Sequence, residues 1–237
     1  MKKLVAFLLS AAVSIFSLTG CSGQSPAEGS EPEPISADML APEIYDAMRE
    51  EWASYDALSP EQQMVSSYFP GICHESFSDW ADCEEYLGIP VPNPLEEAAW
   101  LEHGAHTGES AGSQGAAHVQ VVMRGSRNGQ VEWLDIRSGY RDGDITVTLD
   151  AMLYGASAES THAARGWSVE AARQFYLANA GSGSVVTAKS SGEHYVSRTA
   201  YLARGHALYL VSVTGAPSLE SRVVETLDNV LSEFEGL

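Results

Sequence analysis

The chain has 237 residues, 44% of them hydrophobic, and its 13 basic against 32 acidic residues give a formal net charge of −19. That imbalance argues against nucleic acid as a partner and against a domain lying flat on anionic lipid, since both present negative surfaces. Three cysteines are too few for a small scaffold built from disulfides instead of a core.

The chain opens with Lys2 and Lys3, then an apolar run from Leu4 to Leu18, then Thr19-Gly20-Cys21. The run is short for a transmembrane helix, which needs about 20 apolar residues, and polar sequence follows at once. The order resembles a bacterial lipoprotein signal peptide (residues 1–20) ending in a lipobox. The resemblance implies cleavage before Cys21, diacylglycerol on its thiol, and attachment to the extracytoplasmic face of a membrane. Two acyl chains hold a protein durably where one is marginal. Cleavage removes two lysines and no acid, so 11 basic residues remain against 32 acidic, a charge of −21. A partner is therefore expected to be neutral or cationic, a protein or a glycan. Residues 21–36 are small, acidic and proline-bearing, a composition that cannot bury enough apolar surface to fold, and they read as a disordered tether.

Residues 37–100 read as a helical region. Leu40, Ile44, Met48, Trp52 and Tyr55 recur at helical spacing. Ser59-Pro60-Glu61-Gln62 carries the signals of a helix restart, which runs to about Tyr68 and stops before Pro70-Gly71. Ser76 with Asp79 three residues on predicts the start of a third helix, ended by Gly88. The prolines at 90, 92 and 94 then force extended chain, with one or two helical turns in Leu95–Trp100. Cys73 and Cys83 are ten apart and leave two alternatives, a disulfide, which an oxidising compartment favours, or two buried thiols. Residues 101–117 read as a flexible loop.

From His118 the hydrophobic period changes to two, and residues 118–237 read as an antiparallel sheet with a C-terminal helix. Strands are expected over 118–123, 131–138, 145–153, 184–189, 195–202 and 207–213, about six in all, with one face apolar and the other solvated. Residues 168–178 lean towards a helix with Ala171, Phe175 and Leu177 inward. The last helix is capped by Ser218 and buries Leu219, Val223, Leu227, Val230, Leu231 and Phe234 against the sheet. The fold class is α+β, in one domain or two small ones.

The runs Phe77-Ser78-Asp79-Trp80, Tyr86-Leu87-Gly88-Ile89-Pro90 and Asn93-Pro94-Leu95 resemble a segment of uncharacterised lipoproteins from gut-dwelling Firmicutes. The stretch from Gly205 through Tyr209-Leu210-Val211-Ser212-Val213 to the end is similar to a domain of unknown function. That domain occurs in such lipoproteins and in the extracytoplasmic regions of anti-sigma factors. The similarity runs in patches from about Leu58 to Phe234. It implies the domain, and it brings no activity, substrate or catalytic residue.

Chemistry-bearing motifs are sparse. Dinucleotide, P-loop and serine-elbow patterns are absent, and no catalytic residue, cofactor or metal is assigned. His103, His106 and His118 with Glu102 and Glu109 have the donors of a zinc site, but their glycine- and serine-rich setting favours surface histidines. Trp133, Tyr140, Tyr154 and Trp167 lie where strands meet turns, and Trp133 with Tyr140 is the candidate binding surface. The expected function is ligand or protein binding by a tethered lipoprotein, with an envelope hydrolase as the alternative.

Overall fold

The computed structural model describes residues 32–65, 71–104, 118–155, 169–179 and 185–236. The signal segment, the tether up to residue 31, His106, Glu109, Trp167 and the expected end of the second helix at Tyr68 lie outside the described residues. Among the described residues no helix is long and apolar enough to cross a membrane.

Among the described residues, eight antiparallel strands form one sheet: β1 (Ile72–Phe77), β2 (Glu102–Gly104), β3 (Val119–Gly125), β4 (Val131–Asp142), β5 (Ile145–Tyr154), β6 (Val186–Ser191), β7 (Val196–Arg204) and β8 (Ala207–Gly215). Their order is β1-β3-β4-β5-β8-β7-β6, with β2 also paired to β4. All six expected strands are present. The two additional ones fall in stretches read as helical region and loop, and both give a weak pattern. β1 buries only Cys73 among its six residues, and β2 is three residues long. In effect β2 and β3 are one strand interrupted. Gly104 pairs with Gly139 of β4 and Val119 pairs with Ser138, the next residue along.

Helix α1 (Pro42–Asp56) buries Ile44 and Met48, and α2 (Pro60–Val65) follows it. The restart at Ser59 has its reciprocal cap: Gln62 N–H donates to Ser59 Oγ at 3.3 Å, and Ser59 N–H donates to Gln62 Oε1 at 2.8 Å. Helix α3 (Trp80–Leu87) starts later than Ser76 predicts. Asp79 is its cap, accepting from Asp82 N–H at 2.8 Å, while Ser76 pairs with Gln120 in the sheet. Gly88 ends α3 in the left-handed conformation (φ 74°), where a side chain would be strained.

One face of the sheet carries the main core. Ile145, Val147, Leu149, Ala151 and Leu153 of β5 point into it, and α1 and α3 cover its β1–β3 side. The closing helix α5 (Glu220–Glu233) covers β7 and β8. Val223, Leu227, Val230 and Phe234 are buried as expected, with Leu219 and Leu231 at the margin. Ser218 is not the cap: it lies in a 3-10 turn (Pro217–Leu219) that leads into α5, and no side chain caps either element. The opposite face is not simply solvated. Helix α4 (Val169–Asn179) lies on it and closes a second cluster of Met152, Tyr154, Tyr176, Tyr201, Leu208 and Leu210. Its buried residues are Ala172 and Tyr176, and of the residues expected inward Phe175 packs against the cluster. Phe175 is half-buried against Tyr201, Leu177 is exposed, and the Ala171 side chain lies outside the described part.

Two further results bear on function. The described end of the segment read as tether is folded: Ile35 is fully buried and bridges Gly155, and its N–H donates to Tyr154 O at 2.7 Å. Cys73 on β1 and Cys83 on α3 are held as free, buried thiols rather than as a bridge. Burial foremost, then Glu51 and Glu75, pushes the Cys73 thiol up to about 11, and burial with Glu84 pushes Cys83 up to about 12. Thiols so protonated are poor nucleophiles.

Candidate functional site

The three prolines of Pro90-Val91-Pro92-Asn93-Pro94 keep the chain extended, and it crosses the core face between α3 and α5. Trp80 Nε1 donates to Val91 O at 2.8 Å, and Tyr209 donates its hydroxyl to Pro92 O at 2.6 Å. The segment closes in a 3-10 turn, Pro94–Glu97, whose Asn93 cap accepts from Leu95 N–H at 3.1 Å. This turn sets Glu96 directly above Tyr140 of β4.

Tyr140 is fully buried and is the hub of a polar cluster. Its hydroxyl donates to Glu96 Oε1 at 2.6 Å and accepts from Asn93 Nδ2 at 2.6 Å and Ser138 Oγ at 3.1 Å. One donor and two acceptor positions are thereby all used. His103 of β2 lies opposite Tyr140 across the β2–β4 pair, and His118 stands at the resumption of the interrupted strand. Their rings stack with centroids 4.1 Å apart at 7°. His118 Nε2 donates to Glu96 Oε1 at 2.9 Å, and His103 Nε2 lies 3.6 Å from Glu96 Oε2. On its other side, His118 Nδ1 donates to Gly104 O at 3.4 Å. Exposure grades outward, from 7% for the His118 side chain through 20% for Glu96 to 50% for His103.

The electrostatics follow from these contacts. Burial works to raise the Glu96 carboxyl, but hydrogen bonds from His118 and Tyr140 and the nearby imidazoles outweigh it and hold the group below its ordinary value. Burial works to lower His118, but Glu96 and the carbonyls of Gly104 and Gly139 hold it above its ordinary value. Burial, and then Glu96, pushes the Tyr140 hydroxyl far up. The depressed carboxylate contributes stability that is complete above its ordinary 4.5 and lost as pH falls through its folded value. The raised imidazole contributes stability that is complete below its ordinary 6.5 and lost as pH rises through its folded value. In the presence of chelator, the difference in denaturation midpoint between wild type and Glu96→Gln is therefore expected to peak between pH 4.5 and 6.5. A difference that stays flat across acid and neutral pH would show that the pair is not coupled to folding.

The chain matches no known family model. No curated protein and no solved structure matches it either. The site is therefore read from its own geometry.

Of the residues singled out from sequence, His103 and His118 come together and Tyr140 lies beneath them. Trp133 and Tyr140 do not share a surface. Trp133 alternates onto the α4 face, half-buried beside the second cluster, and Tyr140 faces the main core. Tyr154 is buried on the Trp133 side, with the Arg173 guanidinium 5.4 Å from its ring centre. Glu102 is exposed at the start of β2 and outside the cluster. Glu96 is the residue sequence reading missed. Its signal is Asn93 followed three residues later by a glutamate, a helix-cap pattern, with Asn93 Nδ2 3.4 Å from Glu96 Oε1.

A second concave feature lies at the other end of the strands. A cleft of about 740 Å³ opens between the segment 35–45 and the β3–β4 turn, lined by Ile35, Leu40, Pro42, Tyr45, Gly129 and Val131 among others. Ser36, Asp38 and Gln130 supply polar groups at its rim. Its volume falls within the range of small-molecule sites.

Proposed function

We propose that this protein is a lipid-anchored extracytoplasmic domain whose role is to bind a ligand or partner at the membrane surface. The observation that carries the reading is the order of the first 21 residues: paired lysines, an apolar run, and Gly20-Cys21 followed by an acidic segment. The point where the chain joins the fold supports it. Glu33 and Ile35 are tied to the sheet through Glu33 N–H to Gly205 O and Ile35 N–H to Tyr154 O. An anchored Cys21 would stand no more than ~40 Å along the chain from Pro32, the first described residue, which is already buried. Binding is supported by the cleft beside Ile35, which has the size of a ligand pocket, and the acidic surface favours neutral or cationic partners.

The test of the anchor is fractionation of cells producing the full chain. Wild type is expected in the membrane fraction, and Cys21→Ser as soluble protein or uncleaved precursor. A Cys21→Ser product that is correctly cleaved and still membrane-bound would sink the reading. The second reading, an envelope hydrolase, draws on one observation, the convergence of two histidines, a carboxylate and a tyrosine hydroxyl at Glu96. Turnover of an envelope substrate that Glu96→Gln abolishes would favour it, whereas saturable retention of a ligand without turnover supports binding.

A further inference from the structure

We propose that Glu96, His103 and His118 form a binding site for one divalent transition-metal ion of the zinc type. The inference deepens the binding reading by naming a ligand class, and it rests on that reading only for the site's biological use.

One ligating atom from each of the three residues lies within 4.8 Å of the other two. A tetrahedral ion with bonds of about 2.0–2.2 Å needs donors roughly 3.3–3.6 Å apart, so modest side-chain rotations close the site. The donors come from three elements that the fold fixes independently: the 3-10 turn, β2, and the residue that leads into β3. The stacked rings direct both Nε2 atoms at the same carboxylate, 2.9 and 3.6 Å from its oxygens. Once both are deprotonated, their lone pairs converge on the space that an ion would share with Glu96. On binding, the ion takes the place of the Nε2 proton of His118, which leaves to solvent.

The supporting groups are those a metal site requires. A ligating histidine is oriented by donating its other ring N–H to a carbonyl, and His118 Nδ1 has Gly104 O for this. Ligating carboxylates are themselves held by hydrogen bonds. Glu96 Oε1 is held by Tyr140, which leaves Oε2 turned towards His103. Tyr140 has no capacity to spare and is a positioning residue rather than a fourth ligand. Among the described residues the cluster supplies three ligands and no fourth, and the His103 side chain is half exposed, which gives the ion access from that side. Two imidazoles and one carboxylate suit zinc and its first-row neighbours. Calcium and magnesium prefer shells of oxygen.

The experiment is calorimetric titration of the full chain, purified in detergent and stripped with chelator, using zinc chloride and, separately, calcium chloride. Cobalt(II) absorption serves as a second readout of coordination. Wild type is expected to bind one zinc ion, to give the intense visible bands of tetrahedral cobalt, and to ignore calcium. His103→Asn, at a half-exposed position, is expected to fold normally and to weaken zinc by about 100-fold or more. Tyr140→Phe, which keeps the ring and loses the hydroxyl, is expected to weaken it about 10–100-fold. His194→Asn, remote from the cluster, is expected to change nothing. No zinc binding by wild type, or binding that His103→Asn and Glu96→Gln leave unchanged while circular dichroism shows native folding, overturns the proposal. Membrane fractionation is unaffected by these outcomes, so failure of the metal site and failure of the anchor are told apart.

Discussion

Replacing Phe234 with alanine is expected to cost about 3–5 kcal/mol, and Leu227→Ala about 2–5 kcal/mol, both read from the shift in denaturant midpoint. Phe234 is 1% exposed, with its ring centre 5.2 Å from that of Tyr209, and Leu227 is 5% exposed. Neither side chain has solvent to retreat into, and the sheet beneath cannot collapse into the space left. A domain of this size is stable by only about 5–15 kcal/mol. Ending the chain after Ser218 removes Val223, Leu227, Val230 and Phe234 together and is expected to give an unfolded or aggregating product. It also removes ties to the rest of the fold, among them Trp100 Nε1 to Glu233 Oε1 at 2.9 Å and Thr226 Oγ1 to Asp142 Oδ2 at 2.9 Å. A truncated chain that melts at the wild-type midpoint would show that α5 is an appendage.

Arg137→Ala is expected to cost about 3–5 kcal/mol for a different reason, because it strands a charge. Arg137 and Asp150 face each other across β4 and β5, and the Arg137 guanidinium donates to the Asp150 carboxylate. Asp135 stands 3.5 Å from the same guanidinium. Asp150 lies on the α4 face with its side chain only 7% exposed, so the alanine variant leaves a carboxylate without water or counter-charge. Burial raises the Asp150 carboxyl above its ordinary value by more than Arg137 lowers it. With the folded value above the unfolded one, its contribution is greatest in acid and declines as pH rises through the folded value. At Asp150 desolvation thus outweighs attraction, whereas at Arg137 the attraction of Asp150 and Asp135 outweighs burial. Replacing both residues together, Arg137→Met with Asp150→Leu, is expected to restore most of the loss, to within about 1–2 kcal/mol of wild type. A double variant as unstable as Arg137→Ala alone would place the cost in packing instead of charge.

Strands that bury alternate residues on a continuous core were legible in the sequence, as β5 shows with Ile145, Val147, Leu149, Ala151 and Leu153. So was α5, whose apolar stripe is uninterrupted over four turns. β1 was not, because an edge strand that buries one of six residues carries no alternation, and its Ser76 imitates a helix cap. The inward face of α4 was legible only in part, because alanine and aromatic residues occur all round it: Phe175 does pack on Tyr201, but Ala172 and Tyr176 are the buried positions and Leu177 is exposed. The Glu96 cluster was half legible. The two histidines stood out, but Glu96 reaches them only because three prolines carry the chain across the core face. Tyr140 was found for the wrong surroundings: its place at a strand end suggested a surface, whereas the sheet turns it inward beneath the turn.

The broken strand has a consequence for engineering. Gly104 and Val119 occupy consecutive places beside β4, opposite Gly139 and Ser138. Register on either side is fixed by β4, so changing the number of residues between Gly104 and His118 is expected to leave each of these cross-strand pairs in place, and each doubling of a closed loop costs only about 0.6 kcal/mol. The break is also a natural graft point: a peptide spliced into it would leave from Gly104 and return at His118, beside the half-exposed imidazole of His103.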